Sequence, residues 1–200
     1  MRILGFLFIS LFFIFNSSVA FSYNTEPEKF VIELVNDAIN KLSDKNSTDE
    51  EKKKFIEKIA TENVDIKALG LYTLGEVRKT TNKKDLENFQ VQFEKYFLKS
   101  LTSRLSDFTE RELKILSSDK KNANYTIVKT KVTGNNKRPE VKIDWRVYTK
   151  NPEKPLIRDL IVEGLSLART QKEEFSSILS SNNNDINILI TKLDEFIKKN

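Results

Sequence analysis

The sequence predicts an α+β fold in which helices pack on a curved, four-stranded antiparallel sheet. The first observation is a change of apolar period, which is helical up to about residue 105 and alternating from about residue 111 to 163. The second is the return of helical spacing after Gly164. Helices, then a run of strands, then helices is the element order typical of this fold class.

The first twenty residues differ in character from the rest of the chain. Arg2 precedes an apolar run over residues 3–15, and small residues ending at Ala20 follow it. The run is too short to cross a bilayer core, so the pattern predicts a signal peptide over residues 1–20 that is removed after Ala20. Residues 21–200 are expected to form one domain, because about 180 residues suit a single core. The expected compartment is the periplasm.

Helical spacing predicts three helices in the first part of the mature chain. A capping box at Thr25 opens the first, which ends near residue 43, and Ser47 or Thr48 caps the second. The third is expected over residues 65–77, with the aspartate that begins this range as its cap.

The longest helix is expected to begin at Asn82. One of its faces carries an apolar stripe at spacings of three and four, which comprises Leu86, Phe89, Phe93, Phe97, Leu101 and Leu105.

Four strands are predicted next, over residues 112–117, 123–133, 141–148 and 156–163. The third alternates most cleanly, and its apolar side consists of Val141, Ile143, Trp145 and Val147. Its other side consists of Lys142, Asp144, Arg146 and Tyr148. One face of the sheet is therefore expected to be apolar.

Two helices are predicted after the sheet. Ser166 is the expected cap of the first, which carries Phe175 and Leu179, and Asp185 is the expected cap of the second.

The composition narrows the possible chemistry. The chain has no histidine and no cysteine, which removes the commonest general base, disulfides and thiolate metal ligands. Asp65, Asp144, Asp159 and Glu163 are the carboxylates near apolar residues, and helix caps and ion pairs explain such positions better than catalysis. Lysine and glutamate are interspersed, as on solvated helices, so no nucleic-acid partner is expected. No cofactor or metal is expected either.

The aromatic stripe has two interpretations. It either fills a solid core or faces Trp145 across an apolar cavity between helix and sheet. Spacing alone leaves both open.

Three stretches of sequence are similar to a known family. They are residues 63–78, the following helix with Phe89, Phe93 and Tyr96, and above all residues 159–167, read as Asp-Leu-Ile-Val-Glu-Gly-Leu-Ser-Leu. Together they resemble the MlaC, or toluene-tolerance, family of periplasmic phospholipid-binding proteins, over about residues 28–197. The chain departs from the family pattern at Pro155, at Trp145 and at residues 171–172.

The resemblance implies a carrier that moves phospholipid between the inner and outer membranes and maintains outer-membrane lipid asymmetry. The implied cargo is a diacyl phospholipid, and the implied partners are an inner-membrane ABC transporter complex with an MCE-domain subunit and an outer-membrane lipoprotein-porin complex. The protein is expected to be a monomer. The pocket is expected to be lined by Phe93, Phe97, Leu101, Leu105, Val128, Val141, Ile143, Trp145, Val147, Leu160 and Val162.

Two other classes of protein remain open at this point. A small α+β enzyme of the isomerase or dehydratase type would need an acid or base inside the same pocket. A periplasmic adaptor would have a solid core and no cargo.

Overall fold

A computed structural model describes residues 23–103, 112–134 and 139–199 of the chain. The α+β class is confirmed, and the predicted signal peptide, its cleavage site and Leu105 lie outside the described residues. The helices are α1 Pro27–Ser43, α2 Asp49–Asn63, α3 Ile66–Thr73, α4 Val77–Thr80, α5 Lys83–Thr102, α6 Leu167–Ser180 and α7 Ile186–Lys198. The strands are β1 Leu113–Asn122, β2 Tyr125–Val132, β3 Val141–Tyr148, β4 Leu156–Val162 and β5 Leu165–Ser166.

The five strands form one antiparallel sheet in the order β1-β2-β3-β4-β5. The sequence predicted four strands, because β5 has only two residues and is too short to show an alternating pattern. It follows a two-residue turn in which Glu163 and Gly164 have φ values of 48° and 86°. Positive φ at both positions is the geometry of a tight hairpin, and glycine adopts it without strain.

The first strand is also longer than predicted. It continues past residue 117 to Asn122, because its polar second half pairs with β2 across a tight turn.

Most predicted helix caps are present. Thr48 forms the full capping box with Glu51 at the start of α2. The side chains of Asp65, Asn82, Ser166 and Asp185 each accept a backbone hydrogen bond at the start of their helix.

The predicted cap of the first helix is wrong. Glu26, and not Thr25, is the N-cap residue, and it makes no side-chain capping bond. Instead the Asn24 side chain accepts a hydrogen bond from the Glu26 amide, and Pro27 occupies the first helical turn, where its missing N–H costs nothing.

The predicted third helix ends earlier than expected, at Thr73, and a separate short helix, α4, follows from Val77 to Thr80. Gly75 has a φ of 55°, a left-handed conformation that ends α3 and that an L side chain rarely adopts. Earlier in α3, a Cβ on Gly70 would lie 2.9 Å from Cδ1 of Phe93, so this glycine allows α3 and α5 to approach closely.

The apolar core consists of two clusters. The helical cluster joins α3, α5, α6 and α7, and its buried members are Ile66, Leu74, Phe89, Phe93, Phe175, Leu179, Ile186, Leu189, Ile190 and Leu193. The sheet cluster places α1 and α2 against the sheet, and its buried members are Phe30, Val31, Leu34, Leu42, Ile56, Ile59, Val128, Val147 and Ile157. Val64 packs against both.

Within the three described ranges, no helix combines the length and the apolar composition that crossing a membrane requires.

Candidate functional site

The strongest candidate site is the apolar face of the sheet, which we define as the side that carries Trp145. Residues directly opposite each other in an antiparallel pair lie on the same face. Val128 is opposite Trp145, which is opposite Leu160, and Ile143 is opposite Val162. On β2, β3 and β4 this face consists of Thr126, Val128, Thr130, Val132, Val141, Ile143, Trp145, Val147, Ile157, Leu160 and Val162. None of these residues is charged.

Burial of the apolar face decreases towards one corner of the sheet. Val128 and Val147 lie under α1 and α2 and are fully buried. Across the row that runs from β3 to β5, Ile143 is 6% exposed, Val162 is partly exposed and Leu165 is 69% exposed. The face therefore leads from a dry interior to a solvent-accessible edge.

A threonine holds the aromatic centre of this face in place. The indole Nε1 of Trp145 donates a hydrogen bond of 3.0 Å to Oγ1 of Thr130. The same hydroxyl donates to the carbonyl of Ile143 at 2.8 Å. Thr130 is not among the residues predicted from the sequence; its signal is a threonine within an otherwise apolar alternation, on the strand next to the one that carries the tryptophan.

The opposite face of the sheet is charged, as predicted. On this face the side chain of Arg158 contacts two tyrosines. The β3–β4 register shifts so that Arg158 is an extra residue between the positions paired with Val147 and Arg146. Its guanidinium carbon lies 3.4 Å from the centroid of the Tyr148 ring, and Nη1 donates to the Tyr125 hydroxyl at 2.9 Å.

The same guanidinium connects the sheet to α3. Nε and Nη2 of Arg158 lie 2.8 and 2.7 Å from Oδ2 of Asp65. The other oxygen of this carboxylate caps α3 through the Ala68 amide. Asp65 therefore connects the start of α3 to β4.

Asp159 connects β4 to the start of α6. Its side chain is 1% exposed and accepts hydrogen bonds from the Ser166 hydroxyl at 2.6 Å and the Ala168 amide at 3.0 Å. Arg146 lies 3.6 Å away as an ion pair. For Asp65 and Asp159, the cap and ion-pair interpretation is therefore confirmed.

The structure separates the predicted pocket residues into two groups. Seven of them lie together on the apolar face, namely Val128, Val141, Ile143, Trp145, Val147, Leu160 and Val162. Phe93 and Phe97 belong to the helical cluster instead. Leu101 is 36% exposed near the end of α5, and Leu105 lies outside the described residues.

The aromatic stripe of α5 packs mainly within the helical cluster. The ring of Phe93 lies 5.7 Å from Phe89 and 6.2 Å from Phe175, measured between centroids, and Tyr96 lies 4.9 Å from Phe196. Among the described residues, no ring contact joins this stripe to Trp145. That Phe93 and Phe97 line a pocket stays a prediction.

A concavity lies apart from the apolar face, between the start of α5 and the connection from α6 to α7. Polar side chains make up most of its lining, including Thr80, Asn82, Asp85 and Asp185. Asn82 and Asp185 are already used as helix caps, and such a lining suits water rather than an acyl chain.

Fold and site together define a class of α+β protein in which helices cover a sheet face that is uncharged on β2, β3 and β4 and becomes exposed at Leu165. The sequence model of the MlaC protein family matches residues 32–195, so the chain belongs to the MlaC family. No curated protein sequence matches this chain.

The fold also occurs in a solved structure. The chain is similar to the phospholipid-binding protein from Ralstonia solanacearum, determined in complex with a phospholipid, with a TM-score of 0.71 and 19% sequence identity. The match covers 84% of this chain and 94% of the Ralstonia chain. At 19% sequence identity this similarity shows a shared fold alone.

Proposed function

We propose that this protein is a non-enzymatic phospholipid carrier that works in the periplasm. The observation that carries the proposal is the apolar face of the sheet, which is uncharged on its three central strands and passes from complete burial at Val147 to wide exposure at Leu165. Membership of the MlaC family and the phospholipid bound by the Ralstonia protein support it.

Energetics explain why a carrier needs such a face. Exposing an acyl chain of about sixteen carbons to water costs on the order of 12 kcal/mol, at about 0.8 kcal/mol per methylene. The two tails of a phospholipid must therefore stay dry during transfer. Its phosphate headgroup is best left in water at the open corner.

The proposed cellular role follows from the family. The chain is exported, loses residues 1–20 and works as a single domain and a monomer over residues 21–200. It exchanges phospholipid with an inner-membrane ABC transporter bearing an MCE-domain subunit and with an outer-membrane lipoprotein-porin complex, and so maintains outer-membrane lipid asymmetry.

An enzyme that uses the same apolar face is the weaker alternative. On β2, β3 and β4 the described part of the apolar face offers only hydroxyl groups, those of Thr126 and Thr130, as polar side chains other than the Trp145 indole. A buried carboxylate or amine, which an isomerase or dehydratase would use, is not among them.

The test is to purify the exported protein, extract it with organic solvent and identify the extract by mass spectrometry. We expect diacyl phospholipid in a stoichiometric amount and a mature N-terminus at Phe21. A protein that never carries an acyl species, even after incubation with phospholipid vesicles, has the solid core of an adaptor and is not a carrier.

A further inference from the structure

The end of the sheet where the apolar face opens also carries a row of lysines on the charged face. Lys114 on β1 is directly opposite Lys131 on β2, which is directly opposite Lys142 on β3. Neighbouring strands lie about 4.8 Å apart, so this lysine row spans on the order of 10 Å.

Like charges directly opposite each other are unfavourable in a sheet. Lys131 forms an ion pair with Glu140 at 2.9 Å, and the Glu163 carboxylate accepts a hydrogen bond from the backbone amide of Lys142. The ammonium groups of Lys114 and Lys142 make no ion pair with the described residues, and both side chains are exposed. Two of the three cations are therefore directed to solvent and remain available to an anionic surface.

Exposed leucines border the same end of the sheet. Leu165 is opposite Val162 and so lies at the open edge of the apolar face, and it is 69% exposed. Leu167, which begins α6, is 49% exposed. Ser166 lies between the two leucines, and its hydroxyl donates a hydrogen bond to Asp159. This hydrogen bond fixes the backbone position from which Leu165 and Leu167 project.

We propose that this end of the sheet docks on the surface of a bilayer that contains anionic phospholipid. The proposal rests on the carrier function and adds a membrane contact, made while lipid is exchanged with the partner complexes. Lys114 and Lys142 contact headgroup phosphates, and Leu165 and Leu167 enter the boundary between headgroups and acyl chains.

The leucines decide between a bilayer and an acidic protein. An acidic protein surface would satisfy the lysines but would leave Leu165 and Leu167 without an apolar environment. A bilayer satisfies both groups. It also places the acyl chains next to the row formed by Leu165, Val162 and Ile143, which leads into the buried part of the apolar face.

Binding to vesicles tests this surface. Cosedimentation is measured with vesicles of phosphatidylcholine alone and of phosphatidylcholine mixed with phosphatidylglycerol. We expect preferential, salt-sensitive binding to the mixed vesicles. The double substitution Lys114→Gln and Lys142→Gln is expected to weaken that binding about 25-fold, at roughly fivefold per lysine.

The matched control is the double substitution Lys83→Gln and Lys84→Gln. It removes the same charge from exposed lysines at the start of α5 and is expected to leave binding nearly unchanged. Equal loss in both double variants would overturn the proposal, because the binding would then report net charge alone.

A fluorescent label supplies a second measurement that does not depend on affinity. The chain has no cysteine, so Leu165→Cys provides a single attachment site for an environment-sensitive dye. Its emission is expected to shift to the blue with the mixed vesicles, whereas a dye at Lys83→Cys is not expected to respond. If the wild-type protein carries phospholipid but binds neither vesicle type, the docking surface is wrong and the carrier function stands.

Discussion

The indole nitrogen of Trp145 and the hydroxyl oxygen of Thr130 lie 3.0 Å apart on adjacent strands, and this hydrogen bond orients the largest side chain of the apolar face. Thr130 is fully buried, and its hydroxyl also donates to the Ile143 carbonyl. A polar group is thus placed inside an apolar surface with both of its hydrogen bonds made. Its role is to hold the tryptophan in one orientation.

The first prediction concerns this hydroxyl. Thr130→Val keeps the volume but leaves the indole N–H without its partner, and we expect a loss of about 1–2 kcal/mol in the free energy of unfolding. Chemical denaturation followed by the fluorescence of Trp145, the only tryptophan, measures it. Thr126→Val is the control, since it is buried on the same strand and face. Equal effects of the two substitutions would mean that the hydrogen bond is not the cause.

The second prediction concerns cargo. Val162→Asn places a polar group on the partly exposed part of the apolar face, where acyl chains are proposed to lie. We expect the amount of co-purifying phospholipid to fall severalfold with a change of less than about 1.5 kcal/mol in stability, because water reaches this site. Mass spectrometry of the extract and thermal unfolding measure the two quantities.

Leu116→Asn is the matched control for the cargo experiment, because Leu116 is 52% exposed on β1 and is not part of the proposed lining. Retention of phospholipid by the Val162 variant at the wild-type level would place the tails elsewhere. Ile143→Asp is a harsher form of the test, but it buries a charge and is expected to unfold the protein as well.

The third prediction concerns the connection between α3 and the sheet. Arg158→Lys keeps the positive charge but loses the two-pronged contact with Asp65 and the stacking on Tyr148. We expect a loss of about 1–3 kcal/mol, measured by denaturant unfolding. Arg169→Lys, at an exposed position on α6, is expected to change stability by less than about 0.5 kcal/mol. If Arg158→Lys and Arg169→Lys have the same free energy of unfolding within error, the guanidinium of Arg158 does not stabilise the fold.

The fourth prediction concerns alkaline pH. Burial, reinforced by the nearby Glu174, raises the pKa of Tyr96 above its ordinary value of 10.0, although the hydrogen bond to Gln171 opposes the shift. Because the folded-state pKa is the higher one, the stabilisation is complete below the unfolded-state pKa and is lost as pH rises through the folded-state pKa. Stability is therefore expected to fall above about pH 10.

Tyr96→Phe tests this assignment. Denaturation at several alkaline pH values is expected to show a weaker pH dependence in this variant than in the wild type. An identical pH profile for Tyr96→Phe and the wild type would exclude Tyr96 as the source.

Much of the architecture was predictable because it depends on local spacing. The alternation of Val141, Ile143, Trp145 and Val147 placed these residues on one face before any strand pairing was known, since successive side chains of a strand point to opposite sides. The caps at Thr48 and Asp65 follow from the same kind of local signal. The cap predicted at Thr25 failed because Asn24 and Pro27 provide an alternative start for the helix.

The sequence by itself therefore determined the fold class, the apolar face and the family resemblance. Only the tertiary structure decided that the aromatic stripe around Phe93 packs largely with Phe175, and that Arg158 is an extra residue in β4. It also decided that Lys114, Lys131 and Lys142 form one row. The physical reason is that periodicity records which side of an element is apolar, whereas partner and register depend on contacts between residues distant in the chain.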